Sequence, residues 1–149
     1  MSQEIYEFVI NAAKSAHAKY WHSSGDEGTG DKLAKLVTDT WQKALESHND
    51  SLKIEYLIAP CCGLKERIDV VDVVSGIAYE MKVSHNNPHM EFYRDIFKVL
   101  IARDNGFPHL KRFVFLTPKK GAEHLLRGMG KVAMEEGPRL GLKIEVVPL

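Results

Sequence analysis

RIDVVDVVSGIAYEMKV, residues 67–83, is the stretch that decides the fold. It consists of two apolar runs rich in Val, Ile and Tyr, separated by Ser75-Gly76, and this pattern predicts two β-strands joined in a hairpin. Charged residues, among them Asp69, Glu80 and Lys82, stand inside these runs. Because a charge in a buried strand is unfavourable unless it is paired or binds a ligand, the hairpin predicts a functional site.

Strand geometry favours Asp69 over Asp72 as the first acid of this site. A turn on the central Ser-Gly pair places Asp69 opposite Lys82, with Glu80 two residues away on the same face of the sheet. Asp72 then lies opposite Tyr79 on the other face. A shift of the register by one residue would exchange the two aspartates, so both assignments remain open on geometry alone.

The three charges have a chemical interpretation. Carboxylates on neighbouring strands can hold Mg²⁺ through hard oxygen ligands, and the backbone carbonyl of Met81 could add another. Such an ion polarises a phosphate and lowers the pKa of bound water, while Lys82 could orient or help to deprotonate the attacking water. The alternative is an ordinary ion pair between Asp69 and Lys82 beside an exposed Glu80.

The rest of the chain predicts one α/β domain, residues 1–149, with a mixed β-sheet flanked by helices. The first helix, within residues 1–22, precedes a polar, glycine-rich stretch, and the predicted element order is ααβββαβαβ. The later predicted helices are 31–46, 88–104 and 118–136, and the predicted strands are 52–59, 67–74, 77–84, 111–117 and 142–147.

Asp69 followed, after a short hairpin, by Glu80-Met81-Lys82 resembles the motif of the PD-(D/E)XK nuclease superfamily. The resemblance covers about residues 28–117, and residues 78–84 are also similar to the corresponding strand of archaeal Holliday-junction resolvases. No proline precedes the motif aspartate, since Arg67-Ile68 stands there. The resemblance implies a restriction-endonuclease-like core and Mg²⁺-dependent hydrolysis of DNA, with Mn²⁺ as a substitute and RNA not excluded. It implies Asp69 and Glu80 as metal ligands and Lys82 as the catalytic lysine.

The same resemblance implies a third acid near the start of the second helix. Asp31 is the best match and Glu27 the alternative, although an acid at a helix start is equally explained by the helix dipole. Six further residues are candidate nucleic-acid contacts, but solvated loops and helix ends would explain them as well: His85, Asn86, Arg94, Lys98, Lys119 and Lys120.

Composition narrows the function classes. The chain has 20 basic and 20 acidic residues, which argues against a broadly cationic nucleic-acid binder. Its only cysteines, Cys61 and Cys62, are adjacent and predict no disulfide framework. The sequence shows no signal-peptide pattern and no long apolar run, so we expect a cytoplasmic protein without a membrane partner.

The size of the domain bears on its oligomeric state. A small domain covers little DNA and carries one site, so cutting both strands of a duplex would favour a homodimer with two sites. Two other functions remain open: a non-catalytic nucleic-acid- or protein-binding module on the same fold, and an unrelated α/β protein whose hairpin holds only an ion pair.

Overall fold

The computed structural model describes residues 2–20, 30–84 and 88–149, and it shows an α/β fold with a five-stranded mixed sheet. In chain order, the elements are helices α1 (Ser2–Tyr20) and α2 (Gly30–Glu46), strands β1 (Leu52–Leu57), β2 (Arg67–Asp72) and β3 (Ile77–Met81), helix α3 (Pro88–Asp104), strand β4 (Arg112–Thr117), helices α4 (Lys119–Leu126) and α5 (Met129–Glu136), and strand β5 (Lys143–Pro148). Short 3-10 helices span Pro60–Cys62 and Gly137–Leu140.

The strands lie in the order β1-β2-β3-β4-β5. The first three are antiparallel neighbours, and β3, β4 and β5 are parallel. Parallel neighbours need a crossover, which α3 supplies between β3 and β4. The prediction of a mixed sheet flanked by helices is therefore confirmed.

Each face of the sheet carries its own apolar core. Helices α1 and α2 cover one face, where Val9, Trp41 and Tyr79 are fully buried. Helix α3 and the carboxyl-terminal helices cover the other, where Phe92 and Phe113 are fully buried. Alternate residues of a strand point to opposite faces, so β3 contributes to both cores.

The hairpin register differs by two residues from the predicted one. Asp72 pairs with Ile77 and Val70 with Tyr79, so the prediction that Asp72 lies opposite Tyr79 is wrong. The loop is longer than the Ser-Gly pair, because Asp72 Oδ1 accepts hydrogen bonds from the backbone N–H groups of Val74 at 3.1 Å and Ser75 at 3.2 Å. A two-residue shift preserves the faces, so Asp72 still lies on the Tyr79 side.

Gly76 closes this turn in the left-handed region, with φ of 71°. Its N–H donates to the Asp72 carbonyl at 2.9 Å, and its own carbonyl accepts from Lys111 and Arg112. A Cβ at this position would lie 2.2 Å from the carbonyl oxygen of His109. Glycine is therefore required both by conformation and by close approach of the chain leading into β4.

The single helix predicted over 118–136 is wrong, because a turn at Arg127-Gly128 divides it into α4 and α5. The chain packs closely there: a Cβ on Gly130 would lie 2.4 Å from the Leu125 carbonyl oxygen. The predicted strands 52–59, 67–74 and 77–84 also extend beyond the observed ones, and Lys82 follows the end of β3. None of the helices in the described ranges is long and apolar enough to cross a membrane.

Candidate active site

Asp69 and Glu80 lie side by side at the open end of the β2–β3 hairpin. Backbone pairing stops at Val70 and Tyr79, and the next two positions are joined through their side chains. The Asp69 N–H donates to Glu80 Oε1 at 3.3 Å, and the Met81 N–H donates to Asp69 Oδ2 at 2.9 Å. These bonds orient both carboxyl groups and bring them together, as the sequence predicts.

A local distortion of β1 and β2 accompanies this opening. Glu55 has φ of 52°, the only positive φ among the described non-glycine residues, a conformation that costs about 1–2 kcal/mol. Leu52 and Ile54 pack in the core under α1 and α2, whereas Tyr56 packs in the other core, so β1 changes faces at Glu55. Strained backbone next to convergent carboxylates is typical of functional sites.

Gln42 of α2 ties the two distorted strands together. Its Nε2 donates to Glu55 Oε1 at 2.9 Å and to the Asp69 carbonyl at 3.0 Å. Only 7% of Gln42 is exposed, so its amide is held in place. The position of Asp69 is thereby supported from β1 and α2 as well as from β3.

Helix α3 brings a lysine into the same cluster. Lys98 is 8% exposed, and its Nζ lies 2.5 Å from Glu80 Oε1, 2.7 Å from the Arg67 carbonyl oxygen and 3.1 Å from Asp95 Oδ1. The contact with Asp95 is an ion pair between residues three positions apart on α3. A buried lysine is stable only with such partners, so this cluster fixes its ammonium group.

Burial dominates the electrostatics of the carboxyl groups. Desolvation, followed by repulsion from Asp69 and Asp95, raises the pKa of Glu80 well above its ordinary value. Desolvation also raises the pKa of Asp69, and that of Asp95 to about 6, despite attraction from Lys98. Burial lowers the pKa of Lys98, but the two nearby carboxylates more than offset it, and the net shift is upward. The cluster therefore favours additional positive charge.

Lys82 stands at the edge of an open cleft beside these carboxylates. Its backbone N–H donates to the Leu116 carbonyl, and its own carbonyl accepts from Thr117 Oγ1, both at 2.8 Å, so β4 fixes its position. Its Nζ lies 4.0 Å from Glu91 Oε1. The cleft has a volume of about 450 Å³ and is lined by Glu55, Lys65, Glu66, Arg67, Asp69, Glu80, Met81, Lys82, Glu91, Arg94, Asp95 and Lys98.

The structure changes the predicted partner of Asp69 and places two of the candidate nucleic-acid contacts on α3. The prediction that Asp69 lies opposite Lys82 is wrong, since Asp69 contacts Glu80 and Met81 instead. Lys98, a candidate nucleic-acid contact, lines the cleft, but its ammonium group is buried against Glu80. Arg94 lines the cleft and stays mostly exposed, with its guanidinium 2.7 Å from Glu91.

Lys119 and Lys120 are exposed at the start of α4. Lys120 lines a second cleft, with His89 and His124, rather than the one that contains Asp69 and Glu80. Glu27, His85, Asn86 and the side chain of Asp31 lie outside the described residues.

Three site residues escape the sequence prediction: Gln42, Glu55 and Asp95. Asp95 left the clearest signal, because it occurs between Phe92 and Ile96 on the apolar side of α3, where both neighbours are buried. A charged residue on such a face indicates a partner across the interface. Nothing in the spacing of Gln42 or Glu55 indicates that they meet.

The donor chemistry fits a hard divalent cation only in part. Two adjacent carboxylates whose pKa values are raised by burial would gain from a nearby cation, and oxygen ligands suit Mg²⁺. Within the described ranges, no three His, Cys, Asp or Glu side chains are grouped so that they could hold a metal ion. The side chains of both candidates for a third acid, Asp31 and Glu27, lie outside those ranges.

No protein-family model matches the chain, no curated protein matches it significantly, and no solved structure does so either. Function must therefore be inferred from the site itself.

Proposed function

We propose that this protein is a metal-dependent nuclease of the PD-(D/E)XK type, with a restriction-endonuclease-like core, that hydrolyses phosphodiester bonds in DNA. The observation that carries the proposal is the pairing of Asp69 with Glu80 at the end of β3, with Lys82 at the edge of the same open cleft. Two carboxylates and a lysine beside an accessible cavity match the needs of metal-assisted phosphodiester hydrolysis.

Each residue has a proposed role. Asp69 and Glu80 would hold Mg²⁺, with the Met81 carbonyl and Asp31 or Glu27 as further ligands. The ion, when bound, would supply Lewis acidity and water of lowered pKa. Lys82 would orient the attacking water and neutralise charge that develops on the phosphate, since its backbone is fixed by β4 and its side chain reaches the cleft.

The proposed substrate is DNA. We propose that the protein acts in the cytoplasm and that it forms a homodimer where both strands of a duplex are cut. Arg94 supports an anionic substrate, because it is the most accessible cation of α3 at the cleft and its guanidinium suits phosphate. The zero formal net charge is consistent with local phosphate recognition rather than a broad cationic surface.

A cleavage assay tests the proposal with a matched pair of aspartates. Wild-type protein is incubated with plasmid and with single-stranded DNA in Mg²⁺ or Mn²⁺, beside Asp69→Asn and Asp72→Asn. Asp72 is fully buried on the opposite face, and an asparagine oxygen can still accept its two turn hydrogen bonds. We expect Asp69→Asn to lose cleavage while Asp72→Asn retains it, and equal activity of the two variants would refute the assigned site.

A non-catalytic binding module is the second candidate, favoured by one observation. Lys98 already forms an ion pair with Glu80, so the cluster is partly neutralised without a metal. This candidate predicts that the wild-type protein binds DNA, measured by fluorescence anisotropy, but cleaves neither plasmid nor single-stranded DNA with either ion.

A further inference from the structure

Lys98 occupies a place in which a metal ion would be expected. Its Nζ lies within 2.5–3.1 Å of three oxygens: Glu80 Oε1, the Arg67 carbonyl and Asp95 Oδ1. These are carboxylate and carbonyl oxygens, the donor types that also surround hard cations. The short contact with Glu80 uses one of the oxygens that a metal bound by Glu80 would need.

One lysine does not neutralise this cluster. Asp69, Glu80 and Asp95 carry three negative charges when ionised, against one positive charge on Lys98. A divalent ion would therefore have a favourable field, but it would meet the ammonium group at Glu80 at very short range. An ammonium group 2.5 Å from Glu80 Oε1 and a divalent ion bound to the same oxygen would repel each other strongly.

We propose that Lys98 is an internal counter-cation that a divalent ion must displace from Glu80 in order to bind. The inference rests on the proposed function, because it concerns the same metal site. Displaced Nζ retains Asp95 as an ionic partner on its own helix, three residues away. In the absence of metal, Lys98 stays paired with the carboxylates. Because a metal ion must displace it, Lys98 weakens metal binding by competition.

The test compares two lysines that line one cleft. Mn²⁺ binding is measured by the loss of the free-ion electron paramagnetic resonance signal, for wild type, Lys98→Met and Lys65→Met. Lys65 lines the cleft but is exposed, so its removal reports the general effect of one positive charge. We expect less than about a fivefold gain in Mn²⁺ affinity for Lys65→Met. For Lys98→Met we expect at least about a thirtyfold gain.

The direction of the change separates competition from positioning. If Lys98 only oriented Glu80, its removal would weaken Mn²⁺ binding. A loss of affinity, or a gain no larger than that of Lys65→Met, therefore overturns the inference. If wild type still binds Mn²⁺ and Glu80→Gln abolishes that binding, the proposed metal site survives this failure. If neither wild type nor Lys98→Met binds Mn²⁺, both the competition by Lys98 and the proposed metal site are overturned.

A second measurement needs no variant and so does not depend on tolerance of a core substitution. The rate at which an amine-acylating reagent modifies each lysine of the wild-type protein is followed by mass spectrometry, with and without saturating Mn²⁺. Release from Glu80 should raise the modification rate of Lys98 at least about fivefold, because a buried ion pair protects its amine. The rate at Lys65 serves as the internal reference. An unchanged ratio of the two rates, with Mn²⁺ bound, would overturn the inference.

Discussion

Substitution of Gly76 by alanine should disrupt the turn that brings Asp69 beside Glu80. Gly76 and Gly63 have nearly identical φ angles, of 71° and 72°. An added Cβ at Gly76 would lie 2.2 Å from the His109 carbonyl oxygen, whereas at Gly63 it would meet nothing within 4 Å. The two positions therefore separate the cost of the left-handed conformation from the cost of the collision.

The expected magnitudes follow from those two terms. Gly63→Ala should lower the free energy of unfolding by about 1 kcal/mol, the strain of alanine in the left-handed region. In Gly76→Ala, the added methyl group must also displace the segment that leads into β4, whose Lys111 and Arg112 N–H groups donate to the Gly76 carbonyl. Forced overpacking of this kind adds about 1–3 kcal/mol, so the total loss should be about 2–4 kcal/mol.

Urea denaturation followed by far-ultraviolet circular dichroism measures both variants. The difference between their unfolding free energies isolates the collision, provided that the slopes with urea agree. We expect Gly76→Ala to be less stable than Gly63→Ala by about 2 kcal/mol. Equal stabilities would refute the close approach of the turn to His109, and with it the loop geometry that sets the hairpin register.

Three further predictions concern two residues of the cleft and one ion pair between β4 and β5. Burial raises the pKa of Asp95 to about 6, so the folded protein holds this proton more tightly than the unfolded chain does. The free energy of unfolding should therefore fall by up to about 3 kcal/mol as the pH rises from about 4 through about 6. Urea titrations of Asp95→Asn over the same pH range should show a shallower fall. Lys82→Met should reduce the cleavage rate about 10²–10³-fold with Mn²⁺ affinity not reduced, and an unchanged rate would exclude its catalytic role. Arg112→Lys should lower the unfolding free energy by about 1–2 kcal/mol, since Arg112 makes two bonds to Glu145, of 2.7 and 2.9 Å, and covers the Tyr6 ring.

The pairing of Asp69 with Glu80 could be predicted because it depends mainly on which strand residues point to the same face of the sheet. The predicted loop was too short by two residues, but alternate strand residues keep their face through an even shift. Asp72 was correctly placed on the other face for the same reason. The role of Asp72 in the turn does not follow from the sequence pattern, which places the whole turn on the Ser-Gly pair.

The surroundings of the two acids could not be predicted in the same way. Lys98 and Asp95 meet Glu80 only because α3 packs on that face of the sheet, and helix spacing alone does not specify that contact. The positive φ of Glu55 and the division of the last predicted helix at Arg127-Gly128 are imposed by packing rather than by local propensity.

Anomalous X-ray diffraction from crystals grown with Mn²⁺ tests the central claim most directly. The claim is that Asp69 and Glu80 share one divalent cation at the end of β3. We predict one anomalous peak at about 2.0–2.3 Å from a carboxylate oxygen of each residue, with Lys98 withdrawn from Glu80. Crystals saturated with Mn²⁺ that show no peak between the two carboxylates, with Lys98 still bound to Glu80, would contradict the claim.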